Sequence, residues 1–186
     1  QDYDPHALAA AVDTSVLVGN IVDHWWKLAS GARTIVFAAS VQHSKNITES
    51  FVKSGVPAEH LDGETDPVKR AAILKRLETG ETLVVSNCAI LTEGFDCPAV
   101  KCVVLARPTK SKSLYFQCIG RAMRPIPGVP EVEACLVLDH AGCAHEHGLP
   151  SDPQDYSLDG RKRRAASDES SIKDCPRCYA AVPSAT

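Results

Sequence analysis

Two arginines and a glutamine have a spacing that suits phosphate binding. At about 100° per helical residue, Gln117, Arg121 and Arg124 fall within about 60° of one another, so they would project from one helix face. Each guanidinium offers a fixed fork of donors that matches phosphate oxygens. Two such cations side by side repel each other unless an anion lies between them. The alternative is a purely structural role, and we favour phosphate binding.

The charge around this pair is positive, although the chain as a whole is not. The 186 residues include 20 Lys and Arg and 23 Asp and Glu, which gives a net charge of −3. Between Cys97 and Pro130, however, every charged residue is basic: Lys101, Arg107, Lys110, Lys112, Arg121 and Arg124. The overall charge argues against a nucleic-acid binder that is basic all over, whereas this stretch supplies a local field suited to a polyanion.

A cysteine pair near the end of the chain has the spacing of a metal knuckle. Cys175 and Cys178 form a C-x-x-C pair, as in one half of a zinc ribbon. A structural zinc site needs four ligands, and the spacing of His145 and His147 does not support them as the other two. We therefore expect an incomplete metal site, with two free thiols in this chain and zinc in the intact protein.

The other six cysteines are scattered through the chain, five of them in apolar segments where Cys acts as a small hydrophobe. This usage favours reduced thiols and a cytoplasmic location over a secreted disulfide framework. The chain begins at Gln1 rather than Met, which we interpret as the mark of a fragment or a processed product.

The elements that must position these residues alternate along the chain. Continuous apolar runs predict strands buried on both faces at residues 34–39, 58–62, 82–86, 101–106 and 134–139. Helical patterns lie between or before them at residues 16–30, 44–54, 66–79 and 111–123. This alternation predicts an α/β fold with a parallel sheet and helices on both faces.

The chain changes character after about Gly148. Residues 1–148 are predicted to form one domain, and residues 149–186 an extended polar arm with a solvated charge cluster at Arg161–Arg164. No apolar run approaches the roughly 18 residues that a membrane span requires, so we expect no membrane partner.

Three segments resemble motifs of the superfamily-two helicases. Gln117–Arg124 (QCIGRAMR) looks like their motif VI, Q-x-x-G-R-x-x-R, Thr92–Pro98 (TEGFDCP) like motif V, and Val36–Ser40 (VFAAS) like motif IV. They occur in the family's order, and the resemblance covers about Thr34 to Gly142. The sequence is similar to the DEAD/DEAH-type helicases that include the RadD-like DNA-repair proteins. This resemblance implies a three-layer RecA-like second motor domain.

The resemblance also implies roles for particular residues. In that family the motif VI arginines reach the γ-phosphate of ATP held on the first motor domain. Arg121 and Arg124 would then be catalytic, with Arg124 the better arginine finger. The ATP contacts would be completed by Gln117, Gly94 and Asp96.

The resemblance further implies a set of nucleic-acid contacts. The nucleic-acid backbone would be bound by Ser40, Thr92, Lys110 and Lys112. Cys88 stands where many relatives have Thr, which removes a hydroxyl contact there.

The sequence lacks the ATP-binding half of such a motor. It contains no Gly-Lys dipeptide and hence no P-loop lysine, and its Asp168-Glu169 pair follows no strand. ATP and Mg²⁺ would therefore be bound mainly by an N-terminal RecA-like motor domain of the full-length protein. We predict a fragment of an ATP-dependent NTP hydrolase that is inactive alone and acts on DNA, with RNA left open.

Two alternatives remain at this point. One is a non-catalytic module that binds nucleic acid or protein through its basic helix. The other is the motor domain of a restriction-enzyme translocase subunit.

Overall fold

The structure, a computed structural model, describes residues 2–91, 97–121, 135–152, 172–175 and 180–183. The chain divides into two compact units, residues 1–141 and residues 142–186. The predicted boundary between residues 148 and 149 stays a prediction.

The first unit is built on a five-stranded sheet. Its strands are β1 (Thr34–Ala38), β2 (Ala58–Leu61), β3 (Val84–Asn87), β4 (Cys102–Ala106) and β5 (Leu136–Asp139). They pair in the order β2-β3-β1-β4-β5, and every pairing is parallel. The five predicted strands and the parallel sheet are thus confirmed.

Within the described residues, five helices accompany this sheet. They are α1 (Pro5–Val12), α2 (Ser15–Leu28), α3 (Val41–Lys53), α4 (Pro67–Thr79) and α5 (Lys112–Gly120). Four were predicted, although α3 begins three residues earlier than expected because the Ser40 side chain caps it by accepting from the His43 amide. The predicted extension of α5 through residues 122 and 123 lies outside the described residues.

Both faces of the sheet are buried. On one face, Val36, Ala38, Val104 and other strand residues form a single cluster with α2 and α3. The alternate positions, such as Ile35 and Val103, are also fully buried, and α4 and α5 contact β3 and β4. Helices therefore cover both sides of the sheet, which is the predicted three-layer arrangement.

Local signals in the sequence explain where several helices begin and end. The Asp66 carboxylate accepts from the Val68 and Lys69 amides, and Pro67 occupies the first turn of α4. Gly80 ends the same helix with a φ of 88°, a left-handed conformation that favours glycine. These caps fix the lengths of the connections that lead into and out of the sheet.

The second unit contains short elements within its described residues. They are α6 (Cys143–His147) and an antiparallel pair of strands, β6 (Ile172–Asp174) and β7 (Ala181–Pro183). The sequence predicted a polar arm without periodicity, and three-residue strands are too short to produce any periodic pattern. The charge cluster at Arg161–Arg164 lies outside the described residues.

Among the helices of the described ranges, none joins the length and the hydrophobicity needed to cross a bilayer.

Candidate nucleic-acid and nucleotide interface

Two of the predicted site segments follow the carboxyl ends of neighbouring parallel strands. We call this end of the sheet the carboxyl edge. The chain after β1 leads towards β2 on one side, whereas the chain after β4 leads to β5 on the other. β1 and β4 are neighbours, with Ala38 paired to Ala106. A crevice at such a reversal is where open α/β sheets bind ligands. Ser40 and the segment Arg107–Ser111 lie directly after these two strands.

Ser40 is held in place by the first turn of α3. Its hydroxyl oxygen accepts from the His43 amide at 3.0 Å, and the residue itself is extended, with φ −145° and ψ 167°. His43 is 1% exposed, and its Nδ1 accepts from the Ala39 amide at 3.4 Å. Burial lowers the pKa of His43, against the opposing charge of Asp13, which keeps the ring neutral. The Ser40 hydroxyl proton remains available to a phosphate oxygen.

A buried polar chain links α3 to β2 and β3. Ser44 Oγ lies 2.8 Å from Ser86 Oγ and 2.7 Å from His60 Nδ1, and His60 Nε2 lies 3.0 Å from Asp62 Oδ2. An ionised carboxylate only accepts, so His60 Nε2 donates to Asp62, while His60 Nδ1 shares a hydrogen bond with the Ser44 hydroxyl. The Ser44 and Ser86 hydroxyls share another. These hydrogen bonds hold β2 and the loop after it against α3 and β3.

Asp62 is the charged end of this chain. Its Oδ1 also accepts from the Thr65 hydroxyl at 2.9 Å and from the Glu64 amide at 3.1 Å. The hydrogen bond from His60, helped by that from Thr65, lowers the pKa of Asp62 to about 2. The carboxylate therefore holds the 62–65 turn in one conformation beside the carboxyl edge.

Replacing Asp62 with Asn should destabilise the chain in a pH-dependent way. The pKa of Asp62 is depressed from 3.8 to about 2 in the folded chain, so its stabilisation is complete above 3.8 and is lost as the pH falls towards 2. We expect Asp62→Asn to lower the free energy of unfolding by about 1–2 kcal/mol at pH 7 and by about a third of that at pH 2.5, where the folded carboxyl is still mostly ionised. Urea unfolding followed by tryptophan fluorescence measures both values.

Asp66→Asn is the matched control for this prediction. It makes the same chemical change at an exposed N-cap, where Asn caps as well as Asp, and should shift stability at pH 7 by less than about 0.5 kcal/mol. An equal loss for Asp62→Asn at both pH values would show that its charge is not responsible.

The loop after β3 is anchored by an asparagine that sequence reasoning missed. Asn87 donates from Nδ2 to the Val36 carbonyl at 2.9 Å, and its Oδ1 accepts from the Leu91 amide at 3.2 Å. Within this loop Ala89 has a φ of 60°, in the region that favours glycine, and such strain is common at functional sites. A polar residue at the end of a buried strand was the available signal.

The sequence-predicted residues of motif V begin just beyond this anchor. Thr92, Gly94 and Asp96 lie outside the described residues. Cys88 is half-buried, and burial raises the pKa of its thiol. It is therefore a neutral thiol at the edge.

Helix α5 presents the two faces that its sequence predicts. Tyr115, Cys118 and Ile119 are buried at 5% exposure or less, whereas Gln117 is exposed. Arg121 is the C-cap residue of α5, retains helical backbone angles and is partly buried. Arg124 lies outside the described residues. Helix α5 therefore has a buried face opposite Gln117, and the role of the arginine pair stays a prediction.

Two predicted lysines lie at the other end of α5. Lys110 is exposed, and its Nζ lies 4.6 Å from the centroid of the Tyr3 ring. Lys112 begins the helix, and its Nζ lies 5.8 Å from the centroid of the Phe116 ring. Both cations therefore lie close to aromatic faces at the carboxyl edge.

The predicted metal pair is described in part. Cys175 directly follows β6, and its amide donates to the Ala180 carbonyl at 2.9 Å, which closes the β6–β7 hairpin. Cys178 lies outside the described residues. Within the described ranges, no three His, Cys, Asp or Glu side chains group as metal ligands would, and no disulfide joins two of the seven cysteines there.

Comparison with known proteins identifies the family. Residues 15–125 match the family described as Helicase conserved C-terminal domain. This match spans most of the chain, from the start of α2 through the whole Q-x-x-G-R-x-x-R segment. The chain therefore belongs to this helicase family.

Similar proteins agree with this result. The chain is 30% identical to a 51.5 kDa protein of a Lactococcus phage over 98% of its own length and 40% of that protein. It is 31% identical to UvrABC system protein B of Dechloromonas aromatica over 55% of its length and 16% of that protein. The chain thus spans less than half of these relatives.

A solved structure supports the fold. The C-terminal domain of the DEAD-box protein Dbp5 superposes with a TM-score of 0.55 at 16% identity, covering 68% of this chain and 71% of that domain. The RecA-like fold is confirmed, and the family match over residues 15–125 confirms the assignment to a helicase C-terminal domain.

Proposed function

We propose that this chain, as a member of the helicase C-terminal family, is the second motor domain of a RadD-like ATP-dependent DNA helicase or translocase. The observation that carries the proposal is the family match over residues 15–125, which includes both the carboxyl edge and the motif VI segment. The domain would supply an arginine finger and part of the nucleic-acid track.

The nucleotide contacts follow from the position of α5. Its buried face packs on the core, whereas Gln117 is exposed on the opposite face and the partly buried Arg121 follows at the helix end. Arg121 and Arg124 would contact the γ-phosphate, and Gly94 and Asp96 the ribose. ATP with Mg²⁺, held mainly by the N-terminal motor domain, would supply the transferable phosphoryl group.

The nucleic-acid contacts would come from the carboxyl edge. Ser40, Thr92, Lys110 and Lys112 offer hydroxyl and ammonium donors, which bind phosphates without reading bases. Such a track suits movement along DNA of any sequence. In the intact protein, which we place in the cytoplasm, Cys175 and Cys178 would supply half of a zinc site.

The test compares the 186-residue chain with the full-length protein that contains it. ATP hydrolysis is measured for each protein alone and with single-stranded DNA, duplex DNA and RNA of matched length. We expect hydrolysis that DNA stimulates in the full-length protein and a rate at the buffer background for the isolated chain, because its sequence lacks a P-loop lysine.

Two results would contradict the proposal in different ways. DNA-stimulated hydrolysis by the isolated chain would show that it holds an ATP site of its own. A full-length protein that binds DNA but hydrolyses no ATP would instead support the non-catalytic binding module.

A further inference from the structure

The loop after β4 holds an anion that comes from a distant part of the chain. Asp2 Oδ1 accepts from the Lys110 amide at 2.9 Å, and Asp2 Oδ2 accepts from the Thr109 hydroxyl at 2.9 Å. The Arg107 guanidinium lies 3.9 Å from Oδ2. A single carboxylate thus contacts a guanidinium, a hydroxyl and a backbone amide, which come from Arg107, Thr109 and Lys110 on either side of Pro108.

A contact within the loop orients one of its donors. Thr109 is 5% exposed, and its Oγ1 accepts from the Ser111 amide at 3.0 Å, which turns the hydroxyl proton towards Asp2. Partial burial works against ionisation of Asp2, but the hydrogen bonds from Lys110, Tyr3 and Thr109 outweigh it and lower the pKa of this carboxyl. The site therefore stabilises a negative charge.

These donors are the ones that bind nucleic-acid phosphates. Backbone amides, hydroxyls and basic side chains make most protein contacts to the phosphate backbone. The loop also lies at the carboxyl end of β4, next to the strand that leads to Ser40. It is separated from the Arg121 end of α5 by about 12 Å of helix, so a nucleotide held at Arg121 and Arg124 would not fill it.

We propose that Arg107, Thr109 and the Lys110 amide form a phosphodiester-binding site of the nucleic-acid track, which the Asp2 carboxylate occupies when no nucleic acid is bound. This inference rests on the proposed function and adds to it a site and a competitor. The segment Asp2–Tyr3 is a counter-ion latch that must leave before the backbone phosphate enters. Its departure also frees Lys110 from the Tyr3 ring.

The experiment measures binding of a fluorescein-labelled oligothymidine to the full chain by anisotropy at low salt. Asp2→Asn should bind about 3- to 10-fold more tightly than the wild type, because a competing charge is removed while the donors stay. Asp4→Asn is the matched control, since it makes the same charge change two residues away at the cap of α1, where Asp4 Oδ1 accepts from the Ala7 amide at 2.9 Å. It should change the affinity less than about twofold.

A second measurement locates the binding. In ¹⁵N-labelled chain, the Lys110 amide resonance should shift when the oligonucleotide is added, and Asp2→Asn should reach the same shift at a lower concentration. Adding Thr109→Val to Asp2→Asn should abolish the gain in affinity, because the hydroxyl donor is lost.

Each contrary outcome has its own meaning. Equal tightening by Asp2→Asn and Asp4→Asn would overturn the site, since only general charge would matter. A Lys110 shift caused by ATP but not by the oligonucleotide would overturn its assignment to nucleic acid. If Asp2→Asn binds the oligonucleotide with the same affinity as the wild type, this inference alone is overturned. If neither the wild type nor Asp2→Asn binds the oligonucleotide, the proposed nucleic-acid track is overturned as well.

Discussion

Replacing Arg124 with alanine in the full-length protein is expected to lower kcat for DNA-stimulated ATP hydrolysis by about 10³-fold or more. An arginine finger stabilises the charge that spreads over the transferred phosphoryl group, and this interaction is strongest in the transition state. KM for ATP should change far less than kcat, because the N-terminal motor domain supplies most of the binding. Steady-state kinetics at saturating DNA separates the two constants.

The controls test geometry and location. Arg124→Lys keeps the charge but loses the planar fork, so it should retain most of the defect. Arg163→Ala removes a basic residue from the cluster at Arg161–Arg164 and should leave kcat within about twofold, as for a solvated charge. DNA affinity should be unchanged in all three variants. Normal hydrolysis in Arg124→Ala would remove the finger assignment, and a defect confined to Arg121→Ala would move it to that residue.

The sheet was predictable because burial on both faces leaves a direct mark on the sequence. A strand such as β4, Cys102–Ala106, must be apolar at every position, and this is what the sequence shows. Helix α5 was predictable for a related reason, since its buried residues recur on one side. The starts of helices were less well predicted: α1 went unrecognised although Asp4-Pro5 repeats the signal of Asp66-Pro67.

Buried polar contacts could not be predicted in this way. Ser44, His60 and Ser86 lie on three elements and meet only because the register places His60 beside Ser86 and because α3 begins before Ser44. Hydrophobic periodicity carries no information about such partners. The Asp2 latch is a stronger case, because it joins residues 107 positions apart with no pattern in common. The only sign of such contacts in the sequence was the presence of polar residues, such as His60 and Ser86, inside strands predicted to be buried.

Trp25→Ala is expected to give the largest loss of stability in the first unit. Trp25 is fully buried at 0% exposure in the cluster that joins α2 and α3 to the sheet, and its ring meets Phe51 edge to face at 5.5 Å between centroids. Its Nε1 donates to Thr34 Oγ1 at 2.7 Å, at the start of β1. Truncation leaves a cavity and an unpaired acceptor, so the free energy of unfolding should fall by about 3–5 kcal/mol.

The neighbouring tryptophan provides the comparison. Trp26 is 46% exposed, so Trp26→Ala should cost less than about 1 kcal/mol. Trp25→Phe should lie between the two at about 1–2 kcal/mol, because it keeps most of the packing and loses the hydrogen bond to Thr34. Urea unfolding followed by circular dichroism measures all three. Since β1 leads to the Ser40 turn, Trp25→Ala should also weaken oligonucleotide binding while the chain is still folded. Similar losses of unfolding free energy in Trp25→Ala and Trp26→Ala would contradict the packing of α2 on β1.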